Sequence, residues 1–261
     1  YDPITARFVT RDPMLGINPQ DDQFLYRDPV DVEQLRQRGY ILMNMHPLNL
    51  WRFQVAKQAD VVLLMLTLPH WFSPELKRTN FDYYEPRTIH DSSLSPSIHS
   101  IIASEIGYHD KAYDYFTRTA RMDLDDVKGN TAGGLHAACM GGSWMTIVYG
   151  FGGMRVYDGK VHLNPYVPDR WESYSFRVLF RGSRVRVDVT RENVRLELVE
   201  GERMELGLGG RDVELTQQEP VWECGPAAPS PQPSPPGEGL QHSTPGTLYP
   251  QTSSSADSSP S

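Results

Sequence analysis

The sequence contains little cysteine. Its 261 residues include only Cys139, in an apolar run, and Cys224, close to a proline-rich end. Two such cysteines do not make a disulfide framework, so a reducing, cytoplasmic compartment is expected. The metal-ligand spacings CxxC and HExxH are also missing, and we expect neither a bound metal nor a cofactor.

An excess of positive charge and long apolar runs are missing as well. The formal net charge is -8, whereas a nucleic-acid-binding surface needs clustered lysine and arginine. The longest uncharged apolar run, residues 61–69, is too short to cross a bilayer. The first residues do not show the pattern of a signal peptide. We therefore expect neither a nucleic acid nor a membrane as a partner.

Apolar residues recur at helical spacing over residues 31–150. A short polar helix is predicted over residues 31–38 and a longer, increasingly buried one over residues 52–66. The stretch 135–148 is apolar nearly all round, which predicts a helix buried on every side.

Two helix starts carry local signals. Ser95 followed by Pro96 predicts a hydroxyl cap and a proline in the first turn, and Gly107 predicts the end of that helix. Asp110 is expected to cap the next helix.

The period changes to two after residues 150–153. Valines alternate with polar residues over residues 185–189, and Gly182-Ser183 predicts a two-residue hairpin turn before them. Helices followed by strands predict a mainly α chain with an all-β carboxy-terminal part, a small antiparallel β-domain. The last 37 residues hold nine prolines and nine serines, a composition that favours a disordered tail.

The densest polar cluster surrounds His90, Asp91, Ser92 and Ser93, just before a predicted helix start. Unpaired N–H groups and the dipole make a helix amino terminus a natural anion site, to which serine hydroxyls and a histidine add donors. Phosphate is the obvious anion. The alternative is that Ser95 only caps the helix and His90 is an ordinary loop residue.

Two further clusters carry polar groups beside apolar sequence. Lys57 and Gln58 lie in a predicted apolar helix, where an ammonium could hold an anion and an amide could bind a sugar hydroxyl. A pair of Lys57 with Asp60 on a solvated helix face is the alternative. His136 begins the apolar stretch and is either a ligand-binding residue or a packed core histidine.

Taken in order, these clusters resemble glycoside hydrolase family 65, the family of maltose, trehalose and kojibiose phosphorylases. The resemblance covers roughly residues 14–198, and the ordered set is specific although each motif alone is weak. The motifs are Lys57-Gln58-Ala59-Asp60-Val61, Phe81-Asp82-Tyr83-Tyr84-Glu85-Pro86, His90-Asp91-Ser92-Ser93-Leu94-Ser95, Gly134-Leu135-His136 and Gly152-Gly153-Met154-Arg155.

The resemblance implies a partial (α/α)6 barrel followed by a β-domain. In this scheme residues 1–30 form an extended lead-in and residues 31–151 the carboxy-terminal part of the barrel. Residues 152–223 form a β-sandwich-like domain, and residues 224–261 form the tail.

The resemblance also implies the ligands. Lys57 and Gln58 would face the substrate, while Ser92, Ser93 and His136, with His90 in support, would hold phosphate. The substrates are a disaccharide and inorganic phosphate, with no cofactor, and family members are often homodimers.

The implied reaction is an inverting phosphorolysis that forms glucose 1-phosphate. A carboxylic acid protonates the glycosidic oxygen while phosphate attacks the anomeric carbon, so no second carboxylate is needed to activate water. The general-acid glutamate of the family lies upstream of the motifs found here, so we assign no catalytic residue and expect the chain alone to be inactive. An α-glucoside hydrolase and an inactive fragment or sugar-binding accessory module are the alternatives.

Overall fold

The computed structural model describes Phe53 and residues 55–225. The predicted lead-in over residues 1–30, the helix over residues 31–38 and the tail after Gly225 lie outside these residues. No helix in the described part of the chain is long and apolar enough to cross a membrane.

Helices form the first part of the described chain. They are α1 (Asp60–Thr67), α2 (Pro74–Tyr84), α3 (Ser95–Glu105), α4 (His109–Ala120) and α5 (Ala137–Met145). The backbone of α5 continues as a π-helical segment, Thr146–Phe151. Short 3₁₀ turns lie at Pro69–Trp71, Glu85–Arg87 and Thr131–Gly133.

The predicted helix over residues 52–66 is wrong in its first half. The helix begins only at Asp60, because Ala56 forms an isolated parallel bridge with Thr88. This pairing with a segment distant in sequence overrides the local helical periodicity. Helix α2 had not been predicted, although Ser73 caps it by accepting a hydrogen bond from the Leu76 N–H at 3.2 Å and Pro74 follows.

The starts of α3 and α4 differ from the prediction. Ser95 is the first residue of α3 and its buried side chain makes no cap hydrogen bond, since Leu94 occupies the cap position. Asp110 lies within the first turn of α4, after the cap residue Tyr108. Its negative charge there still interacts favourably with the helix dipole. The predicted end at Gly107 is confirmed by its φ of +84°.

Helix α3 lies at the centre of the helical core. Ile101, Ile102 and Ala103 have no exposed surface, and the core cluster extends to Met65 of α1 and Phe81 of α2. Three serines of this helix, Ser97, Ser100 and Ser104, donate their hydroxyls to backbone carbonyls, for example Ser100 to the Ala112 carbonyl at 2.7 Å. The helix can therefore be buried on nearly all sides despite its polar residues.

The prediction that residues 135–148 are buried on every side is wrong. Cys139 and Gly142 face the described core, whereas Met140 is 53% and Trp144 51% exposed. The residues described here cover only one face of α5. An apolar composition predicts burial but does not identify which neighbour covers each face.

Strands follow the helices in two four-stranded sheets. They are β1 (Arg155–Tyr157), β2 (Lys160–Leu163), β3 (Ser173–Phe180), β4 (Ser183–Thr190), β5 (Val194–Glu200), β6 (Arg203–Leu208), β7 (Arg211–Thr216) and β8 (Val221–Cys224). The sheet orders are β1-β2-β6-β7 and β3-β4-β5-β8. The predicted change from helices to mainly antiparallel strands is confirmed, except that β2 pairs with β6 in parallel.

The alternation of residues sets the register of the second sheet. Val185, Val187 and Val189 of β4 are almost fully buried and join side chains of both sheets in one core. The hairpin turn lies one residue earlier than predicted, at Arg181-Gly182, because Phe180 pairs with Ser183. Both turn residues have positive φ, 49° and 84°, as the short hairpin requires.

Polar contacts join the sheets to the helices. Tyr174 donates to the carbonyl of Phe151 at 2.7 Å, and Tyr166 donates to the Ser104 hydroxyl at 3.0 Å. Arg155 of β1 forms an ion pair of 2.7 Å with Glu105, which also pairs with the buried Lys77 of α2. The end of α3 is thereby tied to both α2 and the first sheet.

Candidate functional site

A short parallel bridge brings two of the predicted clusters together. The N–H of Ala56 donates to the Arg87 carbonyl, and the N–H of Ile89 donates to the Ala56 carbonyl, both at 2.9 Å. Because the two segments run in the same direction, Lys57-Gln58 and His90 leave the bridge at the same end. The structure thus places residues that are more than thirty positions apart beside one another.

Lys57 and Gln58 lie in a bend and not in a helix. Lys57 is exposed, Gln58 is half-buried, and the Gln58 carbonyl accepts the N–H of Asp60 at 2.9 Å as α1 begins. The proposed pair of Lys57 and Asp60 on one helix face is therefore wrong. The bend leaves the Lys57 ammonium at the surface, where it can meet an anion.

His90 is buried and has an unusual backbone conformation. Its side chain is 1% exposed and its φ is +52°. This left-handed backbone conformation is higher in energy for any residue that has a Cβ atom. The ring nitrogen Nε2 lies 3.0 Å from the Tyr115 hydroxyl, and Arg118 donates to the His90 carbonyl at 3.3 Å. Helix α4 therefore holds both the ring and the backbone of His90.

Ser92 and Ser93 form the turn that leads into α3. The Ser92 hydroxyl accepts the N–H of Leu94 at 3.3 Å, which leaves its own hydrogen able to donate to a ligand. Lys128 fixes the turn from outside by donating to the Asp91 carbonyl at 2.9 Å. Both serines are half-buried, so the turn is ordered by the protein but still reaches the surface.

His136 occupies the cap position of α5. One carboxylate, that of Asp123, accepts both the His136 backbone N–H at 2.8 Å and the ring Nδ1 at 2.6 Å. An ionised carboxylate only accepts hydrogen bonds, so Nδ1 carries a hydrogen. The hydrogen bond from His136 lowers the pKa of Asp123. The ring is therefore fixed in orientation, with Nε2 left for contacts on the other side.

The amino-terminal end of α5 packs against the serine turn. The Cys139 thiol lies 3.2 Å from the Ser93 carbonyl oxygen, one turn after His136. Burial raises the pKa of the Cys139 thiol, which suits a packing role for this residue. His136 thus lies on the same end of the helical part as Ser92 and Ser93.

Two further residues shape this end of the molecule and were missed in the sequence. Asp123 holds His136 from thirteen positions away, and Tyr115 contacts His90 from twenty-five positions away. Neither residue lies in a recognisable motif, so only the packing of the loop and of α4 reveals them.

Among the described residues, no group of three or more His, Cys, Asp or Glu side chains could hold a metal ion. A cavity of about 210 Å³ that Tyr166 and Arg191 help to line does not include the residues of the serine turn. The arrangement around the turn is an open surface with an ammonium, two hydroxyls and a fixed imidazole. These groups are suited to bind an anion.

Comparison with known families identifies both parts of the chain. The family model of the glycosyl hydrolase family 65 central catalytic domain matches residues 3–145, and that of the family 65 C-terminal domain matches residues 154–215. The chain belongs to glycoside hydrolase family 65. The boundary between the two matches falls where the helices give way to strands.

Family 65 phosphorylases are among the similar proteins. An α,α-trehalose phosphorylase of Thermoanaerobacter brockii is 49% identical over 193 residues, which are 74% of this chain and 25% of that protein. A maltose phosphorylase of Bacillus subtilis is 40% identical over 195 residues, 74% of this chain and 26% of that protein. The chain thus spans about a quarter of the length of these curated relatives.

A solved structure of a candidate kojibiose phosphorylase from the human microbiome has the same fold in this region. Its TM-score is 0.74 at 33% sequence identity, and the match covers 84% of this chain and 30% of that chain. The family inferred from the ordered motifs is therefore confirmed.

Proposed function

We propose that the chain forms the phosphate-binding part of an inverting disaccharide phosphorylase with an (α/α)6 catalytic barrel. The reaction would be phosphorolysis of an α-glucosyl disaccharide to glucose 1-phosphate and a sugar. The names of the family 65 relatives, which include trehalose, kojibiose and maltose phosphorylases, support this reaction type.

One observation carries the proposal. The Ala56–Thr88 bridge and the Cys139–Ser93 contact bring three segments that are distant in sequence to one end of the helical part. Those segments carry Lys57 and Gln58, His90 with the two serines, and His136. All six side chains that the family resemblance assigns to substrate or phosphate therefore occupy adjoining segments.

Each group has a distinct part in the proposed mechanism. Hydroxyls of Ser92 and Ser93, with the imidazole of His136, would orient the phosphate oxygens, and His90 would support the turn that carries the serines. Lys57 would offset the negative charge of phosphate, and Gln58 would hydrogen-bond a sugar hydroxyl. Orienting the nucleophile in line with the scissile bond is a large part of such catalysis.

Phosphate supplies the nucleophile already ionised, which is why no general base is assigned. As phosphate oxygen bonds to the anomeric carbon, the glycosidic bond breaks and its oxygen takes a proton from a carboxylic acid. We assign that acid to no residue of this chain. The proposed partners are accordingly a disaccharide and inorganic phosphate, without a cofactor.

The test combines binding and turnover on the same preparation. We expect inorganic phosphate to shift the NMR signals of Ser92, Ser93 and His136, and we expect no detectable cleavage of trehalose, kojibiose or maltose by the chain alone. Turnover that proceeds equally without phosphate would favour a hydrolase. Phosphorolysis by the chain alone would overturn the assignment of the acid elsewhere, and absence of phosphate binding would favour an accessory module.

A matched pair of variants locates the binding. We expect Ser92→Ala to weaken phosphate binding, because it removes a hydroxyl donor at the turn. Ser143→Ala, in which the lost hydroxyl only bonds the Cys139 carbonyl within α5, should leave the affinity unchanged. Equal effects of both changes would place the phosphate elsewhere.

A further inference from the structure

A hydrogen-bonded row of four side chains leads from the surface to His90. Lys111 forms an ion pair of 3.1 Å with one carboxylate oxygen of Glu85. The other oxygen accepts the Tyr115 hydroxyl at 2.7 Å, and that hydroxyl lies 3.0 Å from Nε2 of His90. The side chains become less exposed along the row, from 45% for Lys111 and 17% for Glu85 to a fully buried His90.

The proton positions in this row follow from the chemistry of its groups. An ionised carboxylate can only accept, so the single hydrogen of the Tyr115 hydroxyl points to Glu85. The hydroxyl oxygen can then only accept from His90, which requires a hydrogen on Nε2. The row therefore selects a ring that carries a hydrogen on Nε2.

The row also anchors the start of the serine turn. His90 has a left-handed backbone, and Asp91, Ser92 and Ser93 follow it directly, so the orientation of the turn depends on that residue. The Arg118 guanidinium holds the His90 carbonyl, and the ring packs edge-on against His99 at 4.6 Å between centroids. The hydroxyl of Tyr115 fixes the remaining rotation of the ring.

Several charged or titratable groups surround the ring and the turn. Glu85 and Lys111 approach through Tyr115, Arg118 approaches from α4, and Lys128 reaches the Asp91 carbonyl from the following loop. His99 packs on the ring from α3. Glu85 is the acidic group that the row connects to His90, and it determines the direction of the hydrogen bonds.

We propose that Glu85 and Tyr115 are positioning residues that hold His90 as its Nε2–H form and thereby orient the phosphate-binding turn at Ser92 and Ser93. This proposal rests on the proposed function, because it assigns phosphate to that turn. Neither residue needs to touch phosphate. Their effect is transmitted through the ring and backbone of His90.

The first measurement is the protonation pattern of His90 in the full chain. Long-range ¹H–¹⁵N NMR separates the two neutral forms of a histidine, and the signal is assigned by its loss in His90→Gln. We expect a hydrogen on Nε2 in the wild-type chain at neutral pH. A neutral ring with its hydrogen on Nδ1 would overturn the proposal without any variant of the row.

The second measurement is the affinity for inorganic phosphate. We expect Tyr115→Phe and Glu85→Gln each to weaken binding roughly tenfold, the worth of about one well-made hydrogen bond to a charged partner. Removal of a carboxylate near an anion site would strengthen binding if charge alone mattered. Unchanged or tighter binding by Glu85→Gln would therefore overturn the positioning role.

A matched pair of controls lies close to the row in sequence. Tyr108 donates to the Asp82 carboxylate at 3.1 Å, a second tyrosine–carboxylate contact between α2 and the start of α4. Tyr108→Phe and Asp82→Asn remove the same groups without touching His90, and we expect phosphate affinity within about twofold of wild type. Equal weakening by both pairs would mean that the effect is general destabilisation, which overturns the proposal.

The two proposals fail in different ways. If the wild-type chain binds phosphate and the Tyr115 and Glu85 variants bind it equally well, the positioning role fails and the proposed function stands. If the wild-type chain binds no phosphate, the proposed function fails. In that case the NMR pattern of His90 in the wild-type chain still decides whether the ring carries its hydrogen on Nε2.

Discussion

Asp123 shows how a single residue can organise the candidate site. Its carboxylate accepts both the backbone and the ring of His136, and its pKa is lowered by the hydrogen bond to that ring. A lowered pKa in the folded state means that the ionised form stabilises the fold. That contribution is present above the ordinary aspartate pKa of about 3.9 and is lost as the pH falls through the lowered folded value.

We therefore expect Asp123→Asn to reduce the free energy of unfolding at pH 6 and to make it less dependent on pH between pH 2 and 5. Urea unfolding at a series of pH values measures both effects. The control is Asp114→Asn, a change of the same kind on α4, which should leave the contribution of Asp123 intact. If the free energy of unfolding of Asp123→Asn depended on pH between pH 2 and 5 as strongly as that of the wild-type chain, this role would be contradicted.

At the scale of elements, the contact between α5 and α3 depends on a small residue. A Cβ atom at Gly142 would lie 2.9 Å from the Ser97 Cβ atom and 3.0 Å from its hydroxyl oxygen. At Gly141, one position earlier on the exposed face, a Cβ atom would meet nothing within 4 Å. Alanine at Gly142 therefore tests the close packing of the two helices, whereas alanine at Gly141 tests helix propensity alone.

We expect Gly142→Ala to destabilise the chain by about 1–3 kcal/mol, since α5 must move away from α3. Gly141→Ala should stabilise it by roughly 0.5–1 kcal/mol, because alanine loses less backbone entropy in a helix. Urea unfolding of the two variants measures both signs. Stabilisation by Gly142→Ala would show that the two helices can separate at little cost.

At the scale of the whole molecule, Glu105 joins the helices to the sheets. Its carboxylate faces Lys77 of α2 and Arg155 of β1, both of which are less than a tenth exposed. The two neighbouring cations hold the pKa of Glu105 below its usual value, although burial opposes this. Burial lowers the pKa of Lys77. The Glu105 carboxylate offsets the positive charges of both Lys77 and Arg155.

We expect Glu105→Gln to destabilise the chain by about 3 kcal/mol, because it removes the carboxylate that pairs with two buried positive charges. The exposed pair of Glu200 and Arg184 on the second sheet is the control, and Glu200→Gln should cost less than about 1 kcal/mol. Thermal unfolding followed by circular dichroism compares the two. Equal losses of stability in the two variants would show that burial of the ion pairs of Glu105 has little effect on stability.

The same carboxylate predicts a dependence on pH. The stabilisation by Glu105 is present above the ordinary glutamate pKa of about 4.3 and is lost as the pH falls through its lowered folded value. Glu105→Gln should therefore flatten the loss of stability on acidification. If Glu105→Gln lost as much stability on acidification as the wild-type chain, the result would contradict this assignment.

The sequence by itself determined the order of elements and the family. Periodicity of apolar residues gave helices before strands, alternation placed the valines of β4 in the core, and Gly107 marked a helix end, because each signal depends on neighbours a few positions away. The ordered motifs identified family 65, because the order and spacing of motifs can be read from the sequence alone. The roles of Lys57, Gln58, His90, Ser92, Ser93 and His136 stay predictions.

The tertiary structure decided what depends on distant partners. The Ala56–Thr88 bridge shortened the first helix and set Lys57 and Gln58 beside His90. The packing of α4 and the following loop supplied Tyr115 to His90 and Asp123 to His136. Only one face of α5 is covered by the described residues, although its composition predicted burial all round. Local patterns report what a segment prefers, whereas contacts between segments decide which side chains meet.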